Sequence, residues 1–270
     1  MPCRHYGGAM HPDDRRRHAS SFGAAAAAYA VHRPDYAHDA VRWALEPAPG
    51  KRVLDLGAGT GKLTRVLDLL GVDVVAIEPD PAMLAELRRE LQHVRALSGS
   101  AEAIPLPDGS VDAVLAGNAM HWFDMAVAGP EIARVLAPGG VLAGLWNVMD
   151  DRIDWVAGLR RVSGSAVIGP RDTPSIWRTE TAHAHLPRPG ESGPRPFGSA
   201  EQAEFAHAQR RTADSLVATL ATRAGLLTMP EQERATLLGH IRTYLASRDE
   251  TAEGAFDLPM LTCVLRAHRL

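Results

Sequence analysis

Residues Val53 to Thr64 read VLDLGAGTGKLT, an apolar run, one acid, and glycines at 57, 59 and 61 ahead of Lys62. Glycines so spaced let main chain approach a ligand more closely than any Cβ would permit, and three nucleotide-binding chemistries use such a turn. A phosphate loop needs a glycine where the chain has Leu56, and after the lysine a hydroxyl for magnesium where it has Leu63. A dinucleotide fingerprint needs its third glycine one place later, where Lys62 stands. Glu78 would suit an NAD ribose, so that alternative is weakened and not eliminated. The third pattern is D-x-G-x-G-x-G followed by an acid that closes the next strand, and Asp55, Gly57, Gly59, Gly61 and Glu78 match it. Such a turn delivers a ligand to the carboxyl edge of a sheet, where Glu78 offers two acceptor oxygens, enough for both hydroxyls of a ribose. Alone, Glu78 reads as a solvated loop acid; its place downstream of the glycine turn makes it a binding group.

The elements that must carry these residues follow from apolar periodicity. Short apolar runs at 52–56, 72–77, 94–97, 111–116 and 141–146 predict strands, and patterns at 62–70, 81–91 and 131–136 predict helices, the last closed by Pro138-Gly139-Gly140. Strands that are apolar throughout imply burial on both faces, which a parallel sheet covered by helices requires. Upstream, 24–30 is a run of strong helix formers, and a second helical pattern follows Pro34 and Asp35 until Pro47, Pro49 and Gly50 end it. Downstream of Asn147 the pattern loosens, and 186–198 is a Pro/Gly-rich connection. Beyond it, 203–211 reads as a strand, 215–227 and 230–247 as helices, and 258–266 as a last strand.

On this frame, D-x-G-x-G-x-G resembles motif I of the class I S-adenosylmethionine-dependent methyltransferases. GSAEAIPLPDGSVDAV (99–114) resembles the segment by which these enzymes hold adenine, which implies Ser100, Ala101 and Glu102 beside the base and Asp112 inside the fourth strand. Met83 matches an apolar contact to the adenine face, although helix-to-sheet packing also accounts for it. RVLAPGGVLAGLW (134–146) resembles the helix, turn and fifth strand of the same fold, so the resemblance spans residues 50–146 with its motifs in order. FGAAAAAYAVHRPDY (22–36) and NAMHWFD (118–124) are similar to the small-molecule group that includes trans-aconitate methyltransferase-like and ubiquinone-type enzymes. That resemblance implies an N-terminal helical lid over the cofactor, with Phe22, Tyr29 and Arg33 touching it. Arg33 would pair with a carboxylate of the cofactor or of an acidic substrate. The implied cofactor set is completed by Asp55, Gly57, Ala58, Gly59, Thr60, Gly61, Glu78, Pro79, Asn118 and Ala119, with S-adenosylmethionine as cofactor and S-adenosylhomocysteine as product.

A sulfonium is already a good leaving group. The residues around it must align the acceptor, exclude water and remove a proton where the acceptor carries one. The end of the fourth strand faces that spot in this fold, and His121 and Trp122 there are the expected substrate pocket. An imidazole with a near-neutral pKa makes His121 the candidate catalytic base; its plainer role is to orient substrate, since a carboxylate acceptor needs no base. No metal is expected: His183-x-His185 has metal-like spacing, but no cysteine or acid cluster completes a shell. No G-x-S-x-G nucleophile motif stands where the fold would use it.

The chain has 270 residues, 46% apolar and 23% charged, with a formal net charge of -3. That balance favours a small-molecule partner over nucleic acid or an anionic membrane. Cys3 and Cys263 alone cannot build a disulfide framework, and a reducing cytoplasm is the expected location. The expected fold class is α/β, a doubly wound, Rossmann-like seven-stranded methyltransferase sheet with an N-terminal helical lid and a C-terminal, mostly helical cap. The expected organisation is a flexible tail (1–18), a cofactor-binding core with its lid (19–150), a variable substrate cap (151–255) and a final strand returning to the sheet (256–270). In the family the sheet ends with an antiparallel hairpin, which 203–211 and 258–266 would form with the intervening helices roofing the substrate. The expected reaction is methyl transfer to a hydroxyl or carboxylate oxygen of a small molecule. The alternatives are an NAD(P)-linked oxidoreductase and a non-catalytic cofactor-binding protein.

Overall fold

The computed structural model describes residues 33–165, 167–168, 196–227 and 229–270. The expected tail, the helical run at 24–30, Phe22, Tyr29, His183 and His185 lie outside the described residues. Strands β1 (Arg52–Leu56), β2 (Asp73–Glu78), β3 (Arg95–Ser98), β4 (Val111–Gly117), β5 (Leu136–Met149), β6 (Glu201–Thr212) and β7 (Ala255–His268) form one seven-stranded sheet in the order β3-β2-β1-β4-β5-β7-β6. The first five pair in parallel, and β7 runs antiparallel between β5 and β6. Both faces are covered, as the unbroken apolar strands demanded: Leu54 and Leu56 enter one core and Val53 the other. Because β1 is flanked by β2 on one side and β4 on the other, the connections diverge there and open a crevice at the carboxyl ends of β1 and β4.

Helix α1 (His38–Leu45) buries Ala40, Val41 and Ala44 against the sheet, while its Trp43 lies under the Arg266 guanidinium, 3.7 Å from the ring centroid. Helices α2 (Lys62–Leu69) and α3 (Pro81–Glu90) connect the first three strands close to the expected limits. Helix α4 (Met125–Val135) differs from the sequence expectation. It starts six residues earlier, because Asp124 caps it by accepting from Ala126 N, and Gly129 and Pro130 lie inside it. The Pro-Gly-Gly stretch does not close this helix. Strand β5 has already begun at Leu136, which pairs with Val111, and the next pair is Ala113 with Val141, so 137–140 bulge out of the ladder.

The antiparallel hairpin of β6 and β7 stands where the sequence indicated, longer at every end. Helices α5 (Asp154–Ser163), α6 (Ala213–Ala221), α7 (Ala224–Leu227) and α8 (Glu231–Ala246) form a separate apolar cluster. Trp155, Leu159, Leu216, Leu220, Ile241 and Leu245 pack there with Phe256, Leu258 and Met260 of β7. Helix α5 had no clear signature in the sequence. The single helix expected at 215–227 is two, broken at Thr222, whose hydroxyl donates to the Thr219 carbonyl. Among the described residues no helix is long and apolar enough to cross a membrane, and no group of three or more His, Cys, Asp or Glu is placed to hold a metal.

The segment 33–37 lies over the end of β4. Tyr36 is buried, and a Cβ added to Gly117 would come within 2.6 Å of its hydroxyl oxygen. Gly117 is therefore a docking surface for a ring that reaches it from 81 residues away in sequence (117 less 36). Gly117→Ala should cost about 1–3 kcal/mol by overpacking, read as a lower urea midpoint. The loss should be less than additive with that of Tyr36→Leu, because the clash needs both side chains.

Candidate active site

The turn after β1 is fixed by its own main chain. Gly57 N and Ala58 N both donate to the Ile77 carbonyl, at 2.9 and 3.0 Å, which ties the turn to the end of β2. Gly57 has φ of 72° and Gly59 of 58°, in the left-handed region that favours glycine. Their surroundings differ. A Cβ on Gly57 would lie 2.8 Å from the Ala119 Cβ, with the Phe123 ring behind it, whereas a Cβ on Gly59 would meet only Met83 Sδ, at 3.7 Å. Gly61, at the head of α2, packs on Leu87 and Leu91 of the α3 region. Two of the three glycines thus serve protein packing. Gly59 is the one beside open space.

Glu78 closes β2 and holds the same turn. Its Oε2 accepts from Gly59 N at 2.8 Å and its Oε1 from Asp80 N at 2.9 Å. Burial pushes its carboxyl above the ordinary value, and those two N–H donors oppose the rise. Each oxygen keeps further acceptor capacity. Asp80 caps α3 by accepting from Ala82 N and Met83 N, which sets Met83 beside Gly59, and Pro79 is exposed between the two acids. Beneath the turn, Asp55 is fully buried, and its Oδ2 accepts from the Thr64 hydroxyl at 2.6 Å. Burial pushes this carboxyl up to about 7; the Thr64 hydroxyl opposes the shift and the Glu78 charge adds to it. Asp55 Oδ1 and Thr60 Oγ1 are buried with no hydrogen-bond partner among the described residues.

The loops after β3 and β4 form the other walls. Ser100 and Ala103 form a bridge, Ala101 is buried, and Glu102 Oε1 accepts from Asp124 N at 2.9 Å, so one oxygen of Glu102 ties the two loops together. Asn118 has φ of 51°, an uncommon conformation for a residue with a side chain, and its N–H donates to the Leu145 carbonyl at 2.7 Å. A 3-10 turn (Met120–Trp122) follows, in which the half-buried His121 and Trp122 rings lie 4.9 Å apart. The structure therefore brings together the expected residues of the 55–61, 78–83, 100–102 and 118–122 segments. Arg33 is half-buried at the start of the described chain.

Sequence reasoning passed over the polar contacts that bind this site to distant strands. Asp35 Oδ1 pairs with Lys62 Nζ at 3.2 Å. Asn147 Nδ2 donates to the Asp35 carbonyl at 3.1 Å, and the Thr262 hydroxyl donates to Asn147 Oδ1 at 2.7 Å while accepting from Ala37 N at 3.0 Å. The available signal was an Asn inside the apolar run 141–149 and a Thr inside the apolar run 258–265.

The chain matches the family described as a methyltransferase domain over residues 54–144. It is 41% identical over 254 residues to an uncharacterized methyltransferase of Mycobacterium tuberculosis strain H37Rv, covering 94% of this chain and 97% of that protein. This chain belongs to the class I S-adenosylmethionine-dependent methyltransferases. An uncharacterized methyltransferase-like protein of Schizosaccharomyces pombe is 32% identical over 210 residues, 76% of this chain and 78% of its own. The structure of a candidate type II methyltransferase from Anaeromyxobacter dehalogenans superposes with a TM-score of 0.64 at 28% identity, covering 88% of this chain and 97% of that one. The family assignment replaces the oxidoreductase alternative: the chain is a methyltransferase with a Rossmann-like sheet.

In this methyltransferase the Asp55 carboxyl has a folded pKa of about 7 against an ordinary 3.8. The folded state therefore binds this proton more tightly than the unfolded chain. The stability it contributes is full below about pH 4 and is lost as pH rises toward 7. Asp55→Asn removes that dependence, so its Tm relative to wild type should rise between pH 5 and pH 8; a constant difference would refute the buried, protonated acid.

Proposed function

We propose that the crevice at the carboxyl ends of β1 and β4 binds S-adenosylmethionine and that the enzyme methylates an oxygen, hydroxyl or carboxylate, of a small molecule. The observation that carries this reading is Glu78: a buried acid that clamps Gly59, the glycine of the turn that faces open space, and retains acceptor capacity on both oxygens. The two unpartnered buried oxygens beside it, on Asp55 and Thr60, fit a site completed by a polar ligand. S-adenosylmethionine would supply an electrophilic methyl group on a sulfonium.

Glu78 would accept from the ribose hydroxyls. Met83 and Ala101 would flank the base, with Ser100, Glu102 and Pro79 at its edge. Asp55, Gly57, Ala58, Gly59, Thr60 and Gly61 would hold the cofactor from below and Asn118 and Ala119 from the side. Phe22, Tyr29 and Arg33 would close over it as a lid. His121 and Trp122 would line the acceptor side, where His121 orients the reacting oxygen and takes its proton when that oxygen is a hydroxyl. The core would run from residue 19 to 150 and the substrate cap from 151 to 255, with 256–270 returning to the sheet. The packing of Phe256 and Leu258 on the helical cluster supports a last strand shared between the two.

Two measurements test this reading. Glu78→Ala should weaken S-adenosylhomocysteine binding by more than about ten-fold in calorimetric titration, the order expected for two lost hydrogen bonds; unchanged affinity would remove the ribose assignment. For a hydroxyl acceptor, His121→Gln should lower kcat by about 100-fold or more and abolish the near-neutral inflection in the pH–rate profile. For a carboxylate acceptor the same change should act on KM. A variant indistinguishable from wild type on both would place His121 outside the reaction.

A further inference from the structure

The segment 118–124, which carries His121 and Trp122, is fastened at its start, middle and end. At its start Asn118 N donates to the Leu145 carbonyl at 2.7 Å. In its middle Ala119 and Phe123 stand against Gly57 of the glycine turn, so close that a Cβ on Gly57 would lie 2.8 Å from the Ala119 Cβ. At its end Asp124 N donates to Glu102 Oε1 at 2.9 Å. Between these points Trp122 N and Phe123 N close the 3-10 turn on the Ala119 and Met120 carbonyls. The first fastening is to β5. The other two are to the glycine turn and to the 100–103 turn, the segments assigned above to opposite sides of the cofactor.

Asp124 is where the segment becomes helix α4. Its side chain accepts from Ala126 N and its carbonyl from Val127 N and Ala128 N, so both serve the helix. Its own N–H has no acceptor in the helical ladder, and Glu102 receives it. Further along, α4 is bound to the loop after β3 by other groups. Glu131 accepts from Ile104 N, and Arg134 donates to the Ile104 and Leu106 carbonyls and to Asp108. The nearer of these two residues lies seven positions beyond Asp124 (131 less 124), about 10 Å along the helix. They hold the far half of α4, whereas the Glu102–Asp124 bond stands three residues from His121 (124 less 121). Glu102 itself is half-buried between the buried Ala101 and the exposed Ala103, in a turn that Ala103 N closes on the Ser100 carbonyl at 3.2 Å. A ligand seated against that turn restricts Glu102, and so removes part of the entropy that its bond to Asp124 would otherwise cost.

We propose that Glu102 is a positioning residue for methyl transfer: its bond to Asp124 N transmits occupation of the base side of the crevice to the His121–Trp122 turn, which is thereby set for the acceptor. This rests on the reading of the crevice as the S-adenosylmethionine site. The role is distinct from lining the base, which would alter cofactor affinity and leave 118–124 unchanged. It is also distinct from propping the fold, which would hold 118–124 equally with and without ligand.

The test is residue-resolved amide hydrogen exchange on the full chain, with and without S-adenosylhomocysteine at a concentration that saturates each variant. The Gly59 amide, which donates to Glu78, shows that the crevice is filled. In wild type the ligand should slow exchange at Trp122, Phe123 and Asp124 by about ten-fold or more, the order of one hydrogen bond to a charged acceptor. In Glu102→Ala it should still slow Gly59 but change the other three by less than about two-fold. Glu102→Gln keeps an acceptor oxygen at the same reach and should retain the effect. Asp124→Pro removes the donor in place of the acceptor, and the extended Phe123, with ψ of 141°, tolerates a following proline. It should lose the ligand effect at Trp122 and Phe123 as Glu102→Ala does. Slowing that persists in Glu102→Ala, an equal loss in Glu102→Gln, or no slowing at Asp124 in wild type while Gly59 responds would overturn the proposal. A wild type that neither binds S-adenosylhomocysteine nor responds at Gly59 would instead sink the crevice reading on which it stands.

Discussion

The backbone of the turn after β1 has few donors to spend, and how they are spent decides the shape of the crevice. Gly57 and Ala58 give theirs to one carbonyl of β2, and Gly59 gives its to the Glu78 carboxylate. A buried acid without such donors would be neutral or would drag water into the core. Here the acid is stabilised by the turn that it holds, so the two segments fix each other. Among the described residues Asp55 below is served by Thr64 alone, and burial outweighs that residue's donors and pushes the carboxyl up to about 7. Burial thus raises both carboxyls at the ends of these neighbouring strands, and the N–H and O–H groups that reach each one oppose the rise.

The second organising feature is a polar seam through an otherwise apolar face. Asn147 and Thr262 satisfy each other and also take up the backbone of 35–37. Without them that segment would have to place its N–H and C=O groups against hydrocarbon. With them it crosses the end of β4, sets Tyr36 on Gly117, and leaves Asp35 beside the first residue of α2. The chain that leads into the crevice from the N-terminal side is thereby anchored by the last strand.

Glycine shows how one residue type carries two messages. The spacing of 57, 59 and 61 was readable as a site for close ligand approach, and at Gly59 the surroundings agree. At Gly57 and Gly61 the space a side chain would fill belongs to Ala119, Phe123, Leu87 and Leu91. A motif records that a Cβ is unwelcome and does not record what stands in its way.

The parallel core, the order of its elements and the acid-plus-glycine turn were determined by the sequence alone, because each depends on neighbours along the chain: unbroken apolar runs, caps and breakers a few residues apart. The start of α4 was misread for the same reason, since the Asp124 cap overrode the local penalty of Gly129 and Pro130. Only the tertiary structure decided which parity of β6 faces inward, that Tyr36 rests on Gly117, and that Asp35, Asn147, Thr262 and His207 form one network. Those relations join residues 55 to 225 positions apart. They are set by strand register and sheet order, which local preference does not encode and which a one-residue slip would reverse.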